Sequence, residues 1–570
     1  MTSMDLARIA IYLAIVTGLA VLLGRWLVVV AGPRAAAARI PLIGAAEAGI
    51  LGLAGVGPGR ETGWLGYALA VIAFNYAGFL LLYGVLRLQH LLPWNPLDIG
   101  PMAPAVAFNT AISFVTNTNW QAYSGEAELT GFAQAVGLGT QNFLSAATGI
   151  AVMVALARGF ARAEATTLGD FTTDLTRITL RLLLPLAVIV TVLLVLQGVP
   201  QVMQGVLHSI GLDSGAQTIP LGPVASQVAI KQLGTNGGGF YGVNSAHPLE
   251  NPTIWSNLIE MVAILALPAA MPLAFGRLIG DPRQGRALFL AMLIPFMVMV
   301  GLIAWAELAG NPIHQALGVD PAMGNMEGKE VRFGAVDSGI WAAATTAASN
   351  GSVNAMHDSF TPLGGMVAML GMLLGEVIFG GVGSGLYGLI LFAVIAVFAA
   401  GLMVGRTPEY LGKKIEAREM TLAMLALIGL AVAMLVPAAL TAVLPVAAAA
   451  VQETGPHGLS EILYAYGSAA GNNGSAFAGF GAAQTFHAIA IGVSMMIGRY
   501  LPVLVVLAIA GSLAAKKRLP ASAGTLPTHG PLFIGLLIAV VLIIGGLTYF
   551  PALALGPVAE HLAMLAGRLS

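Results

Sequence analysis

Apolar and polar residues alternate along this chain on the scale of membrane crossings. A hydrocarbon core of about 30 Å takes about 20 apolar residues as helix. Stretches of that kind lie near residues 6–30, 64–88, 131–157, 182–199, 256–276, 287–308, 421–447, 485–512 and 530–553. A tenth, 365–404, is 40 residues long and is interrupted by FGGVGSGLYG, Phe379 to Gly388. It is too long for one straight span, so it is expected to be broken or to contain non-helical backbone. The first stretch is too long for a signal-peptide core and lacks a cleavage site after a short one, which makes it a span. The pattern predicts an all-α integral membrane protein of ten transmembrane helices.

A slower period lies over the spans. Four connections carry an apolar piece too short to cross, followed by a polar, glycine-bearing knot: AFNTAISFVTNTNWQ (107–121), VASQVAIKQLGTNGGGF (224–240), WAAATTAASNGSVNAM (341–356) and ILYAYGSAAGNNGSAF (462–477). Aligned on Asn117, Asn236, Asn350 and Asn473, the knots are 119, 114 and 123 residues apart. That spacing predicts a fourfold pseudo-repeat of helix, pore loop and helix around a central pore, with extra N-terminal and C-terminal spans. The expected units are 1–63, 64–181, 182–286, 287–418 with its broken helix, 419–520 and 521–570.

Composition agrees with a membrane setting. Of 570 residues 57% are hydrophobic and 9% charged, and mean hydropathy is +0.86. Soluble domains carry about 25% charged residues. A net charge of -1 leaves no basic excess for nucleic acid. The absence of cysteine excludes disulfides and thiolate chemistry. If the first span enters from outside, 17 of the 25 basic residues fall in inner loops. They include Arg34, Arg39, Arg60, Arg158, Arg162, Arg177, Arg181, Arg406 and the Lys516–Arg518 run. Lys and Arg stay cytoplasmic, so both termini are expected outside.

Backbone outside a helix is tolerated at membrane depth only where it lines water or is buried in protein. Four such loops meeting on one axis can replace the hydration shell of a monovalent cation with carbonyl oxygens. Glycine supplies the positive φ that such backbone needs. The C-terminal ends of the short helices add negative potential at the centre. No knot contains a carboxylate, which disfavours a divalent ion. Potassium is the best match. Asn350 and Asn473 also head glycosylation sequons, a weak pattern that a pore loop would make inaccessible.

TNTNWQ, LGTNGGGFYGVNSAHPLENPT, SVNAMHDSFTPLGG, NNGSAFAGF and GRTPEYLGKKIE resemble the potassium-binding subunits of Kdp potassium-importing ATPases, members of the superfamily of potassium transporters. The resemblance covers essentially the whole chain and implies a ten-span fold whose four loops form the selectivity filter. Carried over by motif, the first loop contributes Thr116, Asn117, Thr118, Asn119 and Gln121. The second contributes Thr235, Asn236, Gly237, Gly238 and Gly239. Ser349, Asn350, Gly351 and Ser352 follow in the third, and Asn472, Asn473, Gly474 and Ser475 in the fourth. The loops differ from one another, so an asymmetric filter is expected. The resemblance also implies a P-type ATPase subunit, a single-span subunit and often a small membrane peptide as partners in the bacterial inner membrane.

The chain has no GxxxxGK[ST] loop and no DKTGT sequence, and no inner loop is long enough for a nucleotide domain. It is therefore not expected to be catalytic alone; ATP is expected on the partner, with potassium as cargo and no organic cofactor. On pore chemistry alone a stand-alone potassium channel or a cation-coupled symporter competes, and a membrane scaffold is the reading from a different class.

A gate is expected in the broken span, from Glu376, Gly380, Gly381, Gly383 and Gly385. Arg499, in the ninth span, is an intramembrane charge and so a functional candidate. It is expected to contact the 379–388 segment, with Glu376 as a partner, so that ions leave sideways. Lys231, two residues before the LGTNGGGF stretch that begins at Leu233, is either a cation repellent or a neutralised charge. Glu461 reads as a helix-start charge. His247, His357 and His487 show no metal-ligand spacing and read as structural.

Overall fold

The computed structural model describes residues 1–32, 41–212, 215–405, 407–520 and 525–568. Arg34, Arg39 and Arg406 lie outside the described residues. Among the described residues ten helices are long and apolar enough to cross a membrane: Ser3–Ala31, Trp64–Leu91, Ala133–Ala161, Phe171–Leu196, Ile254–Leu278, Pro282–Ala316, Ser384–Met403, Ala417–Val443, Thr485–Ala515 and Pro531–Leu565. The third and fifth are mostly buried, whereas the first, second, eighth and tenth expose most of their apolar surface. That exposed surface suits lipid or partner helices. The protein is a multi-pass membrane protein.

Helix starts follow local chemistry. Thr2 with Asp5 and Thr253 with Ser256 form capping boxes, and Asp281 caps a helix whose first residue is Pro282. The fourth span begins at Phe171, eleven residues before the apolar stretch expected at 182. Asp170 caps it by accepting from the Thr173 amide at 2.9 Å. Arg177 and Arg181, expected in a loop, are thereby inside the helix, and a short helix at Pro41–Leu53 supplies Glu47 to both. Hydropathy alone excluded those arginines because their neutralising partner lies about 130 residues away.

Four shorter helices run toward the centre: Pro104–Val115, Val224–Leu233, Gly334–Ala347 and Gly455–Gly471. A hairpin of Val206–Ile210 and Ala216–Pro220 decorates the second connection. The broken span comprises Pro362–Leu373, non-helical backbone at 374–383, and Ser384–Met403. The break therefore lies about five residues earlier than the glycine run suggested. Gly385 and Gly388 belong to the second helix, and the turns of the break are made by positive φ at Gly375, Glu376, Phe379 and Gly383.

Candidate functional site

The four half-helices end in one way. The amides of Thr118, Asn236, Asn350 and Asn473 donate to the carbonyls of Ser113, Lys231, Thr345 and Ser468, five residues back, at 2.8–3.1 Å. The residue before each amide has positive φ: Asn117, Thr235, Ser349 and Asn472. This is a Schellman-type helix end. A second positive φ follows two residues later, at Asn119, Gly237, Gly351 and Gly474. These matches correct the register of the asparagine alignment in the first loop. Thr118, and not Asn117, is the counterpart of Asn236, Asn350 and Asn473.

The loops close into a ring in chain order. Between the first and second, Asn117 Nδ2 donates to the Thr235 carbonyl at 2.9 Å, Asn119 Nδ2 to that of Gly237 at 3.2 Å, and Gln121 Nε2 to that of Gly239 at 3.1 Å. Asn350 Nδ2 reaches the Lys231 carbonyl at 3.2 Å, joining the third loop to the second half-helix. Ser349 Oγ donates to the Asn472 carbonyl at 2.8 Å. Asn472 Nδ2 donates to Thr118 Oγ1 at 3.0 Å and completes the circuit.

Glycine is required where neighbouring loops touch. A Cβ on Gly237 would stand 1.8 Å from the Asn350 carbonyl oxygen, one on Gly351 2.2 Å from that of Asn473, and one on Gly474 2.1 Å from that of Thr118. The fourth equivalent position is Asn119, which carries a side chain bonded to Asn142 Oδ1 at 2.5 Å. The ring is thus asymmetric, with three glycine corners and one asparagine corner. A cavity of about 650 Å³ opens above it, lined by residues of all four loops, among them Asn119, Gly238, Gly351 and Gly474.

Each loop is braced differently. Behind the first, Ser145 Oγ on the third span donates to Asn117 Oδ1 at 2.8 Å. Behind the second, Lys231 is fully buried and pairs with Glu250 at 2.5 Å. Glu250 Oε1 accepts the Tyr241 amide at 2.9 Å. Lys231 is therefore a neutralised brace. In the third, the Ser352 carbonyl accepts from Trp341 Nε1 at 2.8 Å. In the fourth, Ser475 Oγ is hydrogen bonded to Tyr464 Oη, which in turn meets His357 Nδ1 at 2.7 Å.

Farther out on the same side, His457 bridges Glu560 at 2.8 Å and Asp358 at 3.1 Å. Burial opposes its charge, yet hydrogen bonds and the charges of both carboxylates prevail and raise its pKa to about 10. Glu461 accepts the amides of Gln452 and Glu453. His487 contacts the Ala447 carbonyl and Tyr466, and His247 stacks on Tyr241.

The non-helical 374–383 segment lies against the opposite face of the ring. The Val382 amide donates to Thr235 Oγ1 at 3.0 Å, and a Cβ on Gly381 would meet Ser349 at 3.2 Å. Gly383 packs on Gly149 of the third span so closely that a Cβ would stand 2.1 Å from the Gly149 carbonyl oxygen. Gly380 and Gly385 pack on each other's backbone. Arg499 Nη2 donates to the Ser145 carbonyl at 3.1 Å and lies beside Gly149. Arg499 forms no ion pair with Glu376, whose carboxylate oxygens have no hydrogen-bond partner among the described residues. Both side chains line one cavity of about 50 Å³. The expected pairing is replaced by a shared chamber.

Sequence reasoning missed Asn142, Ser145 and Glu250. The polar run TQNFLS inside an otherwise apolar third span was a readable signal for the first two. Glu250 lay within a quoted motif without an assigned role.

The family described as "Potassium-transporting ATPase A subunit" (KdpA) matches residues 10–562. The chain belongs to that family. A potassium-transporting ATPase potassium-binding subunit of Rhodospirillum centenum is 58% identical over 570 residues, covering 100% of this chain and 99% of the relative. The protein of that name from Pseudomonas putida is 56% identical over 524 residues, covering 92% and 93%. Among solved structures, the potassium transporter TrkH of Vibrio parahaemolyticus aligns at TM-score 0.50 and 15% identity, covering 87% of this chain and 97% of its own. That likeness concerns the fold alone.

Proposed function

We propose that the chain is the potassium-binding and translocating subunit of an ATP-driven potassium import complex, and that the four-loop ring is its selectivity filter. The observation that carries this reading is the closed circuit of four equivalent helix ends with paired positive-φ residues. Such backbone offers neutral carbonyl oxygens at the negative ends of four helix dipoles, which suits a dehydrated monovalent cation. The filter residues are those of the four loops, Thr116–Gln121, Thr235–Gly239, Ser349–Ser352 and Asn472–Ser475.

Ions enter from the 650 Å³ vestibule, which faces the periplasm in this reading. The 374–383 segment obstructs the straight path beyond the filter. Arg499 and Glu376 border the chamber through which ions leave toward a P-type ATPase subunit, the site of ATP binding and hydrolysis. A single-span subunit and a small membrane peptide complete the assembly in the bacterial inner membrane. Both termini lie on the vestibule side. Support for this orientation comes from the convergence of the loops assigned inward: Lys413 Nζ donates to the carbonyls of Arg162 and Lys516, and Lys516 pairs with Glu419.

Potassium binding to the folded state stabilises it by mass action. Potassium at 100 times its dissociation constant is expected to add about 2.7 kcal/mol to unfolding of the purified protein. Thermal unfolding in potassium, with sodium at equal ionic strength as control, measures this. Equal midpoints in the two salts would favour a scaffold over a filter.

A further inference from the structure

Gln232, next to the brace residue Lys231, faces a second buried carboxylate. Glu260, on Ile254–Leu278, is fully buried; its Oε2 accepts from Gln232 Nε2 at 2.8 Å and from Ser245 Oγ at 2.7 Å. Glu260 Oε1 has no partner among the described residues. Lys231 is already paired with Glu250, so two carboxylates share the neighbourhood of one ammonium group. On the other side of Gln232, Ser352 Oγ of the third loop donates to Gln232 Oε1 at 2.9 Å. Ser352 Oγ also contacts Asn350 Oδ1, which accepts the Ser352 amide at 3.0 Å.

The chemistry of these groups fixes the sense of the relay. A carboxyl oxygen that carries no proton only accepts hydrogen bonds, as Glu260 Oε2 does here. It therefore turns the Gln232 Nε2 toward itself and leaves Oε1 facing Ser352, whose single hydroxyl proton has Gln232 Oε1 and Asn350 Oδ1 as alternative acceptors. With an amide at position 260, which can donate as well as accept, the Gln232 amide can flip and release that hydroxyl.

We propose that Glu260 is a positioning residue that sets potassium affinity, by orienting Ser352 and Asn350 through Gln232. The assignment rests on the reading of the ring as a potassium filter and adds to it a determinant outside the four loops. Loss of the carboxyl acceptor acts on the ring through the Gln232–Ser352 contact.

The test is potassium-stimulated ATP hydrolysis by the assembled complex carrying Glu260→Gln. The half-saturating potassium concentration is expected to rise about tenfold, equivalent to about 1.4 kcal/mol, with the maximal rate within about twofold of wild type. Ser352→Ala is expected to cost less in the Glu260→Gln background than in wild type, because the two act in one relay. An unchanged half-saturation, a fall in yield or maximal rate alone, or fully additive effects would overturn the assignment. If the glutamine variant does not assemble, Glu260→Asp, which keeps the carboxyl group but shortens its reach, replaces it. An increase of about two- to threefold is expected there, and an unchanged value overturns the assignment. The wild-type complex measured alongside separates the two claims, since absent potassium stimulation there refutes the filter reading itself.

Discussion

Gly237→Ala is expected to raise the half-saturating potassium concentration of the assembled complex at least about thirtyfold, through loss of ring geometry. The backbone at 237 has φ of 77°, and its Cβ would stand 1.8 Å from the Asn350 carbonyl oxygen. A left-handed conformation costs a non-glycine residue about 1–2 kcal/mol, and forced overpacking typically costs about 1–3 kcal/mol more. Displacing the Asn350 carbonyl relieves the clash and moves a ligand of the proposed filter. Gly238→Ala should be milder, since its Cβ would meet Gln121 Oε1 at 3.1 Å and the Asn119 carbonyl oxygen at 3.2 Å. Aspartate at either position adds a charge where no loop has one and should further reduce discrimination between potassium, rubidium and sodium. Gly280→Ala is the control: its φ is 78°, but a Cβ there meets nothing within 4 Å. It should cost stability slightly and leave selectivity unchanged. Equal selectivity in Gly237→Ala and Gly280→Ala would detach Gly237 from ion discrimination.

Breaking the Lys231–Glu250 pair is expected to have the largest effect on stability. Both side chains are fully buried at 2.5 Å separation. Removing one partner strands the other charge, a loss of about 3–5 kcal/mol in other proteins. Lys231→Met should therefore lower the thermal midpoint sharply and abolish potassium protection, because Glu250 also holds the Tyr241 amide behind the second loop. The double variant Lys231→Met, Glu250→Gln should recover most of the midpoint, since replacing a whole buried pair is often near neutral. Thermal unfolding of the three proteins in potassium reports both effects. A mild single variant, or a double variant no better than the single, would show that Lys231 is not a paired brace.

These two sites mark what the sequence could and could not convey. Glycine-rich knots at a near-constant period announced four loops, because non-helical backbone has few uses in an apolar chain. Their register was less legible. Three loops place asparagine directly after the first positive-φ residue, while the first places asparagine on that residue and threonine after it. Backbone conformation separates these cases; residue identity does not. Partners distant in sequence were also hidden. Lys231 could be read as a free charge because Glu250 lies nineteen residues away, and Arg177 and Arg181 moved from loop into helix because Glu47 reaches them from a helix that hydropathy did not mark. Arg499 and Glu376 were expected to pair from depth alone. Arg499 instead donates to the Ser145 carbonyl, a backbone acceptor on the third span that no side-chain pattern reveals.

Ion density in structures of the assembled complex, determined in potassium and again in sodium, tests the central claim most directly. The account predicts density in potassium enclosed by the four loops at the level of Thr118, Asn236, Asn350 and Asn473, and its loss or weakening in sodium. A ring without ion density in potassium, or with equal density in both salts, would contradict it.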